Sequence, residues 1–233
     1  RYRLESIMCA IFGSSDKDKF LELAKLNEYR GSTAWSCTIF TACKFKHYYE
    51  GINLVSSETV EKNHFTTDML IDLSSTINEY ESVTKNDSGE VTYYLGHTQT
   101  PTTQSLEHHP SVYGEDYLWH NGIIKENQRE VWKKQYGEVE WDTALLHRHM
   151  ILNGSLSDVD GTFSCVRYRD KKLKVFRNEI SPLFFDKELN ISSVEFEDAM
   201  ETESGFVYEL DIQSKELEKQ NHFKTKENPY YFG

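Results

Sequence analysis

Residues 161–178, GTFSCVRYRDKKLKVFRN, carry β-branched and aromatic residues on both sides of a charged centre and read as a β-hairpin. This feature constrains the chain most, because ISSVEFED (191–198) and GFVYELDI (205–212) continue the strand-like character after it. The last third is therefore mostly strand, followed by a tail from Lys215 to Gly233 that is charged and then aromatic. Strand-like runs also open the chain. IMCAIFGSS (7–15) reads as a short buried strand ending at Gly13, and STAWSCTIFTACKF (32–45) and VTYYLGHT (91–98) read as further strands.

Helical patterns lie between and beside these strands. Ser15 or Asp16 can cap a helix through KDKFLELAKLNEYR, with Phe20, Leu23, Ala24 and Leu26 on one side and Gly31 as its stop. In TTDMLIDLSSTINEYESV, Met69, Leu70, Leu73, Ile77 and Tyr80 repeat at helical spacing, and NDSGE (86–90) reads as a turn. DYLWHNG (116–122) reads as a strand arriving at a tight Asn-Gly corner, and KENQREVWKKQYG and WDTALLHRHMILNG follow as helices. The longest irregular stretch runs from Thr98 to Gly114 and holds two prolines and two histidines, a place where function often sits on a rigid frame. Strands first, helices in the middle and strands last predict packed sheets with helices on their outer faces.

At 233 residues the chain is long enough for one substantial core, with two small domains as the alternative. The formal net charge of −12 makes nucleic acid a poor partner, since phosphates repel an acidic surface. No apolar run reaches the ~18 residues of a spanning helix, and no secretory signal is visible, so no membrane partner is expected. Cys9, Cys37, Cys43 and Cys165 form no CxxC pair or disulfide framework, and a reducing cytoplasm is the simplest setting. His108-His109 and His147/His149 lack the i, i+4 spacing and acidic support of a metal site, so no metal is assigned.

Several residues could carry chemistry. Cys9 is a nucleophile only as thiolate; if Met8 is the start and is removed, the α-amine of Cys9 can take its proton. The bland reading of Cys9 is a small buried strand residue, and position alone favours it. In WHNGII, an amide side chain and a backbone N–H at Asn121-Gly122 could form an oxyanion hole; alternatively the pair is an ordinary turn. Thr98, Gln99, Thr102 and Thr103 offer neutral groups to a small polar ligand or simply shape a surface loop. Arg30 could fix a carboxylate or end a helix, and Asp142 could point into a pocket or cap one.

Their order is what decides. MCAIFG, EYRGS, GHTQTPT, HHP, HNGIIKEN and WDTALL, taken in that sequence, closely resemble the class II glutamine amidotransferase domain, an N-terminal-nucleophile hydrolase module. The resemblance runs from Met8 to about Asp211 and includes the 161–178 hairpin and the serine-containing ISSVEFED. It implies an α+β fold, a four-layer αββα sandwich of two antiparallel sheets. It implies that Cys9 attacks the side-chain amide of glutamine, that Asn121 and Gly122 hold the oxyanion, and that ammonia leaves as a thioester forms. Arg30, Gln99, Thr102, His120 and Asp142 would form the substrate-binding set, with Asp142 on the α-amino group. No cofactor is implied.

It also implies that residues 1–8 are a leader, either a cloning remnant or a propeptide, and that 9–233 are the domain. A blocked Cys9 amine cannot act as base, so the uncut chain should be inactive. A fused synthase domain does not fit, so a separate ammonia-accepting synthetase or transferase is the implied partner. Small stand-alone modules of this kind resemble those encoded by bacteriophages and bacteria.

Two departures stand out. Ala10 replaces the usual glycine, a mild change. Gln99 stands where the family has an arginine that grips the α-carboxylate, and Thr100-Pro101 replace Trp-Ala. Loss of one charge-assisted contact weakens binding by roughly 1.5–3 kcal/mol. Either another cation reads the carboxylate, or the substrate is a different amide, or activity has decayed and the chain acts as a binding or inhibitory protein.

Overall fold

The computed structural model describes residues 9–31, 34–43, 48–59, 73–75, 77–78, 90–100, 107–153, 155–170, 172–211, 214–224 and 226. Their strands form two antiparallel sheets. The first contains β1 (Ala10–Ser14), β2 (Ala34–Cys43), β3 (Tyr48–Thr59), β4 (Glu90–Gln99), β9 (Phe184–Phe185), β10 (Ile191–Ser192) and β11 (Met200–Glu201), in the order β11-β9-β10-β1-β4-β2-β3. The second contains β5 (Ser111–Tyr113), β6 (Asp116–Ile124), β7 (Gly161–Arg169), β8 (Lys172–Arg177), β12 (Phe206–Asp211) and β13 (Glu216–His222), in the order β13-β12-β8-β7-β6-β5.

Alternating side chains explain the stacking. In a strand, neighbours point to opposite faces. Ile11, Tyr93, Leu95, Trp119, Val166 and Val175 belong to one core cluster, drawn from both sheets and therefore lying between them. Their chain neighbours belong elsewhere. Phe12 and Tyr94 pack with Phe20, Leu23 and Ala24 of α1 (Lys17–Asn27) and with Leu73 and Ile77. Leu118, Cys165 and Phe176 pack with Trp132 of α2 (Glu126–Tyr136) and with Leu145, Leu146 and Met150 of α3 (Asp142–Asn153). The central strands are thus apolar on both faces, which a sandwich capped by helices requires. The result is the four-layer α+β arrangement of two antiparallel sheets.

Local chemistry sets the helix ends. Asp16 caps α1 by accepting the Lys19 N–H at 2.8 Å. The pattern of residues 17–30 divides into α1 and one 3₁₀ turn, Glu28–Arg30. Gly31 follows in extended geometry rather than as a left-handed cap. Glycine is needed there for another reason: a Cβ would sit 2.5 Å from Gln99 N.

Four expectations change. Asn121-Gly122 is no corner, because β6 runs through it to Ile124, paired to β7 along the whole length. Of ISSVEFED only Ile191–Ser192 is strand. Within the tail, Glu216–His222 forms the edge strand β13, polar because most of it faces water. The stretch from Thr98 to Gly114 is also partly regular, with Thr98 and Gln99 ending β4 and Ser111–Tyr113 forming β5. The expected turn at 86–89 and most of the 66–83 helix lie outside the described residues, apart from helical residues 73–75 and 77–78.

Gly122 makes the strand interior possible. Its φ is +156°, and a Cβ would lie 2.1 Å from the Thr162 carbonyl oxygen. Gly114 also has positive φ, at +63°, but open space around it. Gly122→Ala should therefore cost about 3 kcal/mol or more, against about 1 kcal/mol for Gly114→Ala, read from urea unfolding midpoints. Equal costs would mean that β6 relaxes around the added methyl.

Candidate active site

The inter-sheet parity that buries Ile11, Leu95 and Trp119 also points Cys9, His97, Gln99 and Asn121 to the same interior, at one end of the sandwich. α3 starts there too, bringing Asp142 and Thr143. Cys9 is 7% exposed, and its thiol donates to the Thr100 carbonyl at 3.6 Å. Burial pushes this thiol up to about 12; the Asp142 carboxylate adds to the rise, and the Arg30 guanidinium opposes it. The sulfur thus lies within electrostatic reach of one cation and one anion.

Each neighbour is held separately. Arg30 Nε donates to the Cys9 carbonyl at 3.3 Å, while its Nη2 is buried without a hydrogen-bond partner among the described residues. Asp142 accepts the Ile124 N–H at 3.2 Å and the Thr143 N–H at 2.8 Å. It therefore fastens the start of α3 to β6 and keeps its charge near the sulfur. The sequence set capping against a pocket role for this residue, and the geometry combines the two.

Ser193 joins the two sheets at this end. Its Oγ accepts the Ile11 N–H at 2.9 Å, and its own N–H donates to the Ile11 carbonyl at 2.8 Å. Asn121 Nδ2 donates to the same Oγ at 3.2 Å, and Asn121 Oδ1 is buried without a partner among the described residues. Half a turn of the amide lets Oδ1 accept the serine proton and leaves Nδ2 as an unused donor. In that orientation the N–H beside the start of β1 is the kind of donor an oxyanion hole uses. Sequence reading passed over Ser193; its only signal was the serine pair inside ISSVEFED.

Beside the site lies a buried histidine network. His97 and His109 stack with ring centroids 3.6 Å apart, and Trp141 meets the His109 ring edge at 4.9 Å. His97 Nε2 donates to the His120 carbonyl at 3.2 Å. His120 reaches the Thr162 carbonyl through Nε2 (3.2 Å) and Thr143 Oγ1 through Nδ1 (3.1 Å). His109 meets Thr143 Oγ1 through Nε2 (3.1 Å) and Gln99 Oε1 through Nδ1 (3.3 Å). Gln99 Nε2 then donates to the Glu107 carbonyl at 2.8 Å.

Proton counting constrains this chain. The four contacts from Thr162 O to Gln99 Oε1 need four protons, while neutral His120, Thr143 and His109 supply three. Burial lowers all three histidines: His97 to about 3, His109 well below its ordinary value and His120 in the same direction. The neutral network therefore leaves one contact unprotonated, and the longest is His109–Gln99.

Of the residues singled out from sequence, Cys9, Arg30, Asn121, Gly122 and Asp142 come together here. His120 is buried, with its ring turned into the network. Gln99 is 5% exposed, with both amide atoms engaged there. Thr102 lies outside the described residues. His147 is elsewhere, against Asp116 at 3.0 Å, and His149 bonds Tyr136 and the Ser155 carbonyl. Among the described residues no cluster of three or more His, Cys, Asp or Glu could hold a metal, and no helix is long and apolar enough to cross a membrane.

Comparison with known proteins agrees on the architecture. The chain matches the solved structure of glutamine phosphoribosylpyrophosphate amidotransferase from B. subtilis, complexed with ADP and GMP, at TM-score 0.58 and 13% identity. It also matches a structure described as the allosteric regulatory enzyme of purine biosynthesis, at TM-score 0.56 and 12% identity. Each match covers 94% of this chain and 49% of the other, so the chain spans about half the length of those proteins. No protein-family model and no curated protein sequence matches it. At this identity the likeness establishes the fold alone, a sandwich of two antiparallel sheets.

The depressed histidines give a pH dependence. Unfolded, each binds a proton near pH 6.5; folded, each does so only at lower pH, and His97 and His109 at much lower pH. Stability is therefore full above about pH 6.5 and falls with acidification, by up to ~1.4 kcal/mol per pH unit for each such histidine. Urea unfolding between pH 7 and pH 4.5 should show this slope, and His97→Gln should flatten it. A profile unchanged by His97→Gln would mean that this ring is protonated in the fold.

Proposed function

We propose that this chain, cut to begin at Cys9, is an amidohydrolase of the glutamine amidotransferase type that releases ammonia from the side-chain amide of glutamine. The observation that carries the reading is the convergence of Cys9, Arg30, Asp142 and Asn121 at one end of this fold. In the uncut chain the Cys9 nitrogen is an amide and takes no proton, and the buried thiol stays protonated at neutral pH. Cutting before Cys9 supplies an α-amine, whose ordinary pKa of ~8 suits a base near neutrality.

The sulfur then attacks the amide carbon, and its proton passes to the α-amine. The carbonyl oxygen becomes an oxyanion, held by Asn121 Nδ2 and the backbone N–H of Gly122. The α-amine returns the proton to the leaving nitrogen, ammonia departs and a thioester remains on Cys9. Water, deprotonated by the same amine, attacks the thioester and yields glutamate and free Cys9. The ammonia passes to an accepting synthetase or transferase, and the natural setting is the cytoplasm.

The test compares ammonia release at millimolar glutamine from three proteins: the chain beginning at Cys9, the same chain with Cys9→Ala, and the chain with its leader. Activity is expected from the first alone, with the alanine variant down about a thousandfold or more. Equal release from the leader-bearing chain would remove the α-amine from the mechanism. No release from the first protein would favour the reading as a binding or inhibitory protein.

A further inference from the structure

We propose that Arg30, in place of Gln99, is the residue that selects an amide substrate bearing a carboxylate. The inference rests on the amidohydrolase reading and deepens it. Gln99 has no spare group to offer: its Nε2 holds the Glu107 carbonyl, its Oε1 faces His109 Nδ1, and the side chain is almost wholly buried. Turning its amide would not release it, because both ends of the amide already abut polar atoms of the network.

Arg30 is in the opposite condition. Its Nε is anchored on the Cys9 carbonyl, which fixes the plane of the guanidinium beside the nucleophile. Nη2 is buried and finds no hydrogen-bond partner among the described residues. A buried guanidinium N–H without an acceptor is a costly arrangement unless a ligand supplies one. A carboxylate fits best, since a planar fork accepts it along two parallel hydrogen bonds. Among the described residues, Arg30 is the cation whose charge is felt at the Cys9 sulfur.

Asp142 adds the complement. Its carboxylate is also felt at the sulfur and is pinned by two backbone N–H groups. One fixed cation and one fixed anion near the same sulfur match a zwitterionic headgroup, with the carboxylate on Arg30 and the ammonium on Asp142. The substrate class is an amino-acid amide with both charges free, rather than an acylated or peptide-bound one.

The experiment measures ammonia release from L-glutamine and from glutamine with its α-carboxylate capped as a methyl ester, using the chain beginning at Cys9. Arg30→Gln is expected to raise KM for glutamine tenfold or more, to change kcat less, and to leave KM for the ester nearly unchanged. Arg30→Lys should recover part of the loss. Gln99→Leu should leave the ratio of the two KM values unaltered, whatever it does to stability. An equal KM rise for both substrates in Arg30→Gln, or a ratio collapsed by Gln99→Leu, overturns the assignment.

If no ammonia appears from any protein, the amidohydrolase reading fails, and calorimetry on Cys9→Ala decides the Arg30 assignment by itself. L-glutamate should bind more tightly than its α-methyl ester, and Arg30→Gln should erase the difference. Absence of that preference, or its persistence in Arg30→Gln, refutes it.

Discussion

One serine hydroxyl ties the strand that follows Cys9 to the strand that carries Asn121. Ser193 Oγ takes the N–H of Ile11, two residues after Cys9 in the first sheet, and contacts Asn121 in the second. Its N–H closes the pair by reaching the Ile11 carbonyl. The start of β1 is thereby tied to the middle of β6 across the layer that separates the sheets. Hydrophobic burial brings the sheets together without fixing their relative slide, because apolar packing is non-directional. A hydrogen bond between named atoms restricts that slide, and the candidate oxyanion donor depends on it.

The rest of the site follows from burial. A sandwich apolar on both faces leaves little room for charge, yet Arg30 and Asp142 both act on the Cys9 sulfur. Asp142 is accommodated by backbone N–H groups. Arg30 is accommodated only in part, and that unmet capacity is where a ligand gains most. The histidines are treated differently. Desolvation keeps them neutral, and they bond one another, Thr143 and backbone carbonyls into a frame beside the chemistry. That frame engages residues adjacent to each functional group: His120 before Asn121, Thr143 after Asp142, and Gln99 before Thr100.

Much of the frame was legible in the sequence because it is local. Alternation gave the strands around 10–14, 34–43 and 161–177, and helical spacing gave 126–136 and 142–153, close to the observed bounds. The Asn-Gly pair misled because it is usually a turn; here Gly122 lies flat against Thr162 and lets the strand continue. Strand β13 was missed because an exposed edge carries polar residues and no alternation. The histidine network was not legible at all. Its members come from β4, the loop before β5, β6 and the start of α3, and no spacing links them. Ser193 acts on residues 72 and 182 positions away, beyond any local pattern.

The central claim is that Cys9 and Asn121 act on a single carbonyl. The most direct measurement is a crystal structure of the chain beginning at Cys9 after reaction with an electrophilic glutamine analogue. The account predicts a bond from the Cys9 sulfur to the analogue, with the oxygen that marks the former carbonyl about 3 Å from both Asn121 Nδ2 and the Gly122 nitrogen. An adduct whose oxygen points away from Asn121, or an unmodified Cys9 beside a modified Cys37 or Cys165, would contradict it.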